Sequence, residues 1–159
     1  MVILIVANAD IGLYKFRKEL LEELVKENKV YIALPKGDFY DELVAIGCKF
    51  INTELDRHGT NPLKELKVVS LYKKIIKKVK PDIVFTYTIK PNVYAGMACA
   101  SLNVPYVANI TGLGTAVENP GIMQFVTISL YKYGLRKAQK VFFQNTENRD
   151  FRLKKGVVR

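Results

Sequence analysis

The apolar positions of this chain fall into short unbroken runs, separated by longer stretches with helical period. Val2 to Ala7 carries no charge, which suits a strand buried on both faces of a parallel sheet. Asn8-Ala9-Asp10-Ile11-Gly12 interrupts that run with turn-forming residues. Leu13, Phe16, Leu20 and Leu24 then recur at helical spacing, with Lys15, Arg17, Lys18 and Glu22 on the other side. Strand, tight loop and helix form the opening unit of an open α/β sheet, in which ligands sit outside the carboxyl ends of the strands. Asn8 to Leu13 is therefore expected to line a cleft.

The pattern repeats along the chain. Lys29 to Leu34 predicts a second strand, closed by Pro35-Lys36-Gly37, and Asp38 is placed to cap a short helix through Ile46 that Gly47 ends. Lys49 to Ile51 predicts a third strand, and the polar stretch Thr53 to Asn61 a loop. Pro62 suits the first turn of a helix with the stripe Leu63, Leu66, Val69, Tyr72, Ile76 and Val79, stopped by Pro81-Asp82. Ile83 to Tyr87 is the fourth predicted strand, Lys90 to Leu102 a helix of small residues, and Tyr106 to Asn109 the fifth strand. Gln124 to Lys137 predicts a helix, Val141 to Gln144 a sixth strand, and Arg149 to Lys155 a last helix closed by Gly156. The expected class is α/β: a Rossmann-like, doubly wound parallel sheet of about six strands with helices on both faces. The pattern runs to the last residue, so 1–159 reads as one domain cut at a domain edge.

Charge narrows the partners. Lys+Arg 25 against Asp+Glu 15 leaves +10, which favours an anionic partner: nucleic acid, an acidic membrane surface or a phosphorylated substrate. Charge alone does not choose among them. Cys48 and Cys99 stand far apart and read as buried free thiols in a reducing compartment. The N-terminal apolar run is too short for a signal peptide or a membrane span, so a cytoplasmic location is expected.

Candidate chemistry clusters after the strands. The first loop is no dinucleotide fingerprint, because Gly12 is its only glycine. Gly12 either makes the turn or brings an amide to a phosphate at a helix N-terminus. Lys90, in Thr86-Tyr87-Thr88-Ile89-Lys90, suits phosphate or carboxylate binding, or is a solvated surface lysine. Thr111-Gly112-Leu113-Gly114-Thr115 offers amides, flexibility and hydroxyls. Glu118, the only charge between Lys90 and Lys132, either sits in the cleft or caps the following helix. His58 has no partner at ligand spacing, so no metal is expected. No Ser-His-Asp order, Walker pattern or HExxH is present, and the sequence holds no self-contained catalytic apparatus.

The stretch Ile122 to Tyr133 is apolar nearly all round and turns basic at Arg136 and Lys137. It reads either as a core helix or as an interfacial helix on an anionic bilayer, a surface that Lys73, Lys74, Lys77 and Lys78 of the lysine-rich helix would share. A nucleic-acid surface would use the same charges. The aromatics fall mostly on core stripes and no recognised module fits, so no nucleic acid is expected.

ANADIGLYKFRKELLEEL, DRHGTNPLKEL, PDIVFTYTIKPNVYAG, NITGLGTAVEN and KVFFQNTENRDF together resemble the N-terminal domain of retaining GT-B glycosyltransferases, of the bacterial type that builds capsular and other surface polysaccharides. The resemblance implies a two-domain enzyme whose second Rossmann-like domain grips the nucleotide sugar, and whose first mainly binds the acceptor. It implies that Gly12 approaches the donor phosphates, that Asn8 and Asp10 flank the acceptor, and that Thr88, Lys90, Thr111 and Gly112 line the cleft floor. Leu13, Gly114 and Glu118 join that candidate set. Many relatives carry a histidine after the fifth strand; Thr111 or Gly112 stands there in this chain, which removes an imidazole from the site. Implied partners are a nucleotide-sugar donor, a lipid-linked saccharide acceptor and the inner face of the cell membrane, with no cofactor. A non-catalytic acceptor-binding subunit of a split enzyme, and a phosphate- or nucleic-acid-binding protein unrelated to sugars, remain alternatives at this level.

Overall fold

The computed structural model describes residues 1–53, 62–112, 121–144, 146, 149, 150 and 156. His58, Gly114, Glu118 and all but Arg149 and Asp150 of the last predicted helix lie outside the described residues. The chain runs β1 (Val2–Val6), α1 (Asp10–Glu27), β2 (Lys29–Leu34), α2 (Tyr40–Ala45), β3 (Lys49–Asn52), α3 (Pro62–Val79), β4 (Ile83–Tyr87), a π-helical turn (Pro91–Ala95) leading into α4 (Gly96–Leu102), β5 (Tyr106–Ile110), α5 (Ile122–Leu135) and β6 (Lys140–Phe143). All pairings are parallel, in the order β3-β2-β1-β4-β5-β6.

The uncharged first run explains the centre of this sheet. Ile3 and Ile5 pack against α1 and α2, while Leu4 and Val6 face the layer of α3 and α4. Each such side chain, fully buried, contributes about 1.5–3 kcal/mol. A third cluster joins Ala108 and Ile110 of β5 to Ile128, Tyr131 and Leu135 of α5. The expected doubly wound α/β sheet is thus present, with α1 and α2 on one face and α3, α4 and α5 on the other.

Several local expectations are corrected. α1 begins at Asp10, so Gly12 lies inside its first turn rather than in a loop. The cause is the Asp10 carboxylate, which accepts the amides of Ile11 (2.8 Å) and Phe39 (2.7 Å) and joins the starts of α1 and α2. Asp38 does not cap α2; Phe39 holds the N-cap position. The buried stripe of α1 is Leu13 and Leu21, with Leu24 and Val25 half-buried, whereas Phe16 and Leu20 are 67% and 41% exposed. Phe16 and Leu20 instead face an open groove beside β4, β5 and β6. In α3 the core residues are Tyr72, Ile75 and Ile76, and Leu66 is exposed.

The helix expected from Lys90 opens with a π-helical turn. It carries fully buried Asn92 to the two strands beneath. Asn92 accepts from Thr86 Oγ1 (2.6 Å) and donates to the Asn109 carbonyl (2.9 Å), while Asn109 Nδ2 donates to the Thr86 carbonyl (3.3 Å). The small residues of α4 let α5 come close. A Cβ at Gly134 would lie 2.7 Å from Val93 Cα, and the Tyr106 hydroxyl donates to the Gly134 carbonyl at 2.6 Å.

Candidate functional site

From β1 the chain winds outward through β2 and β3, then returns to place β4 on the other side of β1. Strand order reverses between β1 and β4, and helices on opposite faces part there to leave a crevice at the carboxyl ends. A cleft of about 430 Å³ occupies this position. Ala7 and Tyr87-Thr88 line it from the ends of β1 and β4, Thr111 and Gln144 from those of β5 and β6, and Gly12, Phe16 and Arg17 from α1. No carboxylate stands among its described lining residues.

Gly12 faces open space: nothing lies within 4 Å of where a Cβ would be. The early amides of α1 have no intrahelical acceptors, and that of Ile11 is taken by Asp10. Thr88 holds φ 71°, a left-handed conformation uncommon for a β-branched residue, and its hydroxyl donates to the Tyr87 carbonyl. Strain of this kind costs about 1–3 kcal/mol and gathers at functional sites.

Arg17 supplies the positive charge. Its guanidinium lies 5.5 Å from the centre of the Tyr87 ring, and Nη1 donates to the Phe16 carbonyl at 2.7 Å. With the Gln144 amide turned so that its oxygen faces Arg17, Nη2 donates to that oxygen at 3.0 Å and the amide nitrogen donates to the Thr111 carbonyl at 3.1 Å. Burial raises the Tyr87 pKa, and the Arg17 charge opposes that rise.

The structure brings Gly12, Leu13, Thr88 and Thr111 together in the cleft, with Gly112 following Thr111. Asp10 and Lys90 are not among its lining residues. Asp10 is buried, with both oxygens committed to backbone amides. Lys90 pairs with Glu65 of α3 at 2.8 Å, both side chains largely buried. Asn8 is half-buried, and its Oδ1 has no hydrogen-bond partner among the described residues. Arg17, Tyr87 and Gln144 are cleft residues that the sequence reading missed. Arg17 had a signal: it falls midway between Leu13 and Leu21, where a charge interrupts the buried stripe.

The basic residues divide. Arg136 stacks 3.7 Å from the centre of the Tyr133 ring; Arg136 first, and then Lys73, lower the Tyr133 pKa. Lys137 is tied to the end of α4 through the Ala100 carbonyl (3.2 Å) and Asn103 Oδ1 (3.0 Å). Lys74, Lys77 and Lys78 are exposed, and Lys78 joins Lys29 and Lys49 around Tyr31 near the amino edge. α5 buries Ile128, Tyr131 and Leu135, yet exposes Ile122 (83%), Phe125 (73%), Val126 and Tyr133. It is therefore a core helix with an apolar outer stripe. Among the described residues no helix is long and apolar enough to cross a membrane, and no three His, Cys, Asp or Glu stand together as metal ligands.

Comparison with known proteins agrees with this geometry. The "Glycosyl transferase 4-like" family profile matches residues 2–145. The chain is 27% identical over 157 residues to the N,N'-diacetylbacillosaminyl-diphospho-undecaprenol alpha-1,3-N-acetylgalactosaminyltransferase of Campylobacter jejuni, a match covering 95% of this chain and 42% of that protein. Among solved structures, MurG of Acinetobacter baumannii superposes with TM-score 0.62 at 14% identity, over 92% of this chain and 41% of that one. The UDP-GlcNAc 2-epimerase of Neisseria meningitidis, bound to UDP-GlcNAc, gives 0.65 at 15% identity, over 98% and 44%. At these identities the superpositions speak for the fold, and the profile for the family. The chain belongs to the glycosyl transferase 4-like family, as a Rossmann-like N-terminal domain of the GT-B class of glycosyltransferases.

Proposed function

We propose that this domain is the acceptor-binding half of an enzyme that moves a sugar from a nucleotide-sugar donor to a lipid-linked saccharide in surface-polysaccharide biosynthesis. The observation that carries the reading is the cleft at the β1–β4 reversal, with Arg17 and the Gly12 backbone on its wall and no carboxylate among its described lining residues. Such a wall suits a diphosphate. In the reaction the acceptor oxygen bonds to the anomeric carbon as the bond from that carbon to the nucleoside diphosphate breaks. The acceptor proton leaves to a base, and configuration is retained through an oxocarbenium-like transition state. Amide dipoles and cations, rather than a metal, stabilise the leaving diphosphate.

The nucleotide and the carboxylates of the reaction belong, in this reading, to a second Rossmann-like domain, so 1–159 alone is inactive. The protein works peripherally at the inner face of the cell membrane. The stripe Ile122, Phe125, Val126, Tyr133 and Arg136, with Lys73 beside it, supports that placement. The test is sugar transfer by the full-length gene product and by the 159-residue chain, each given mixed nucleotide sugars and a lipid-diphosphate saccharide. Transfer by the long form alone is expected. Transfer by neither, or by the short chain unaided, overturns the reading.

A further inference from the structure

We infer that Arg17 takes the diphosphate of a lipid-linked acceptor, and that the apolar strip beside it, Phe16, Leu20 and Phe142, carries the adjoining hydrocarbon. The inference rests on the transferase reading above and narrows it to one wall of the cleft. Among the described residues Arg17 makes only neutral contacts: the Phe16 carbonyl, the Tyr87 ring and the Gln144 amide. A half-buried guanidinium without a counter-charge is costly unless an anion completes it. Its planar fork, already held by Gln144 and Tyr87, loses little freedom on meeting two phosphate oxygens.

The surroundings choose the kind of diphosphate. A second groove, of about 540 Å³, shares Phe16, Arg17, Tyr87 and Gln144 with the cleft and continues over Phe85 and Phe142. Phe16, Leu20 and Phe142 remain 67%, 41% and 57% exposed there. Glu19 is the carboxylate among the groove's described residues, and its side chain is exposed. Arg17 thus stands where a cleft that offers the Thr88 and Thr111 hydroxyls meets a groove walled by Phe16, Leu20, Phe85 and Phe142. The complementary ligand has a sugar on one side of its phosphates and hydrocarbon on the other. A nucleoside diphosphate, polar on both sides, does not match.

The probes are inorganic pyrophosphate, geranyl diphosphate and UDP, titrated calorimetrically into wild-type protein and three variants. Geranyl diphosphate is expected to bind at least about tenfold tighter than pyrophosphate, since a few buried methylenes suffice for that ratio. Arg17→Met should weaken both by about ten- to a hundredfold, the range for hydrogen bonds to a charged group, with Arg17→Lys in between. Phe142→Ser should remove the geranyl advantage and leave pyrophosphate unchanged. Wild-type affinity for geranyl diphosphate in Arg17→Met, an undiminished geranyl advantage in Phe142→Ser, or tighter binding of UDP each overturns the inference. Should Arg17→Met fail to fold, the Lys and Ser variants decide. Normal sugar transfer by the full-length gene product carrying Arg17→Met would remove this inference alone, whereas a full-length wild-type product that transfers nothing, with binding as expected, would remove the enzymatic reading alone.

Discussion

Cys48 and Cys99 are buried on opposite faces of the sheet, and desolvation pushes their thiols up to about 11 and about 12. Folding therefore favours the protonated thiol. The stability this brings is complete below the ordinary thiol range near 8.5, and is lost as pH rises toward those higher values. Urea midpoints should fall between pH 7.5 and pH 10.5, and fall less in a Cys48→Ala/Cys99→Ala protein; equal falls would show that the thiols contribute nothing. The cleft residues were partly legible at this scale. Gly12, Thr88 and Thr111 follow strand ends, and that position suffices to place them. Asp10 and Lys90 occupy the same kind of position, but distant partners, the Phe39 amide and the Glu65 carboxylate, hold them elsewhere. Gln144 was illegible because its contact with Arg17 depends on β6 lying beside β5.

The elements themselves were easier to read than their faces. The strands and the main helices follow from uncharged runs and helical period, because both express local backbone geometry. What escaped was set by long-range packing: the π-helical turn, the role of Asp10 in joining α1 to α2, and the rotation of α1 that turns Phe16 and Leu20 outward. The π-helical turn is held through Asn92, so Asn92→Ala strands the Thr86 hydroxyl and the Asn109 carbonyl and opens a small void. A loss of about 2–3 kcal/mol is expected by urea unfolding; a loss below about 0.5 kcal/mol would mean that the network does not clamp β4 to β5. For α5, the protein has no tryptophan, so Phe125→Trp is a clean reporter of the outer stripe. With anionic vesicles at low salt its emission should shift to the blue and be quenched by brominated lipid, both effects weakening as salt rises. Vesicle binding without quenching would mean that the charges touch the bilayer while the apolar stripe does not.

The whole molecule presents two edges of different chemistry. At the carboxyl edge the ends of β1, β4, β5 and β6 surround a cleft whose described lining holds Arg17 and no carboxylate. Near the amino edge Lys29, Lys49 and Lys78 gather around Tyr31 and lower its pKa, Lys29 foremost. A net charge of +10 draws anions to both, so attraction alone does not locate the site. On the proposed reading strand order does: the carboxyl edge carries the reversal between β1 and β4 that opens a crevice. The measurement that tests this most directly is an amide-resolved NMR titration of the protein with a short-chain lipid-diphosphate saccharide. Shifts that saturate together at Ala9, Gly12, Arg17, Thr88 and Thr111 are the predicted result. Shifts confined to Lys29, Tyr31, Lys49 and Lys78 would contradict the account and move the site to the opposite edge of the sheet.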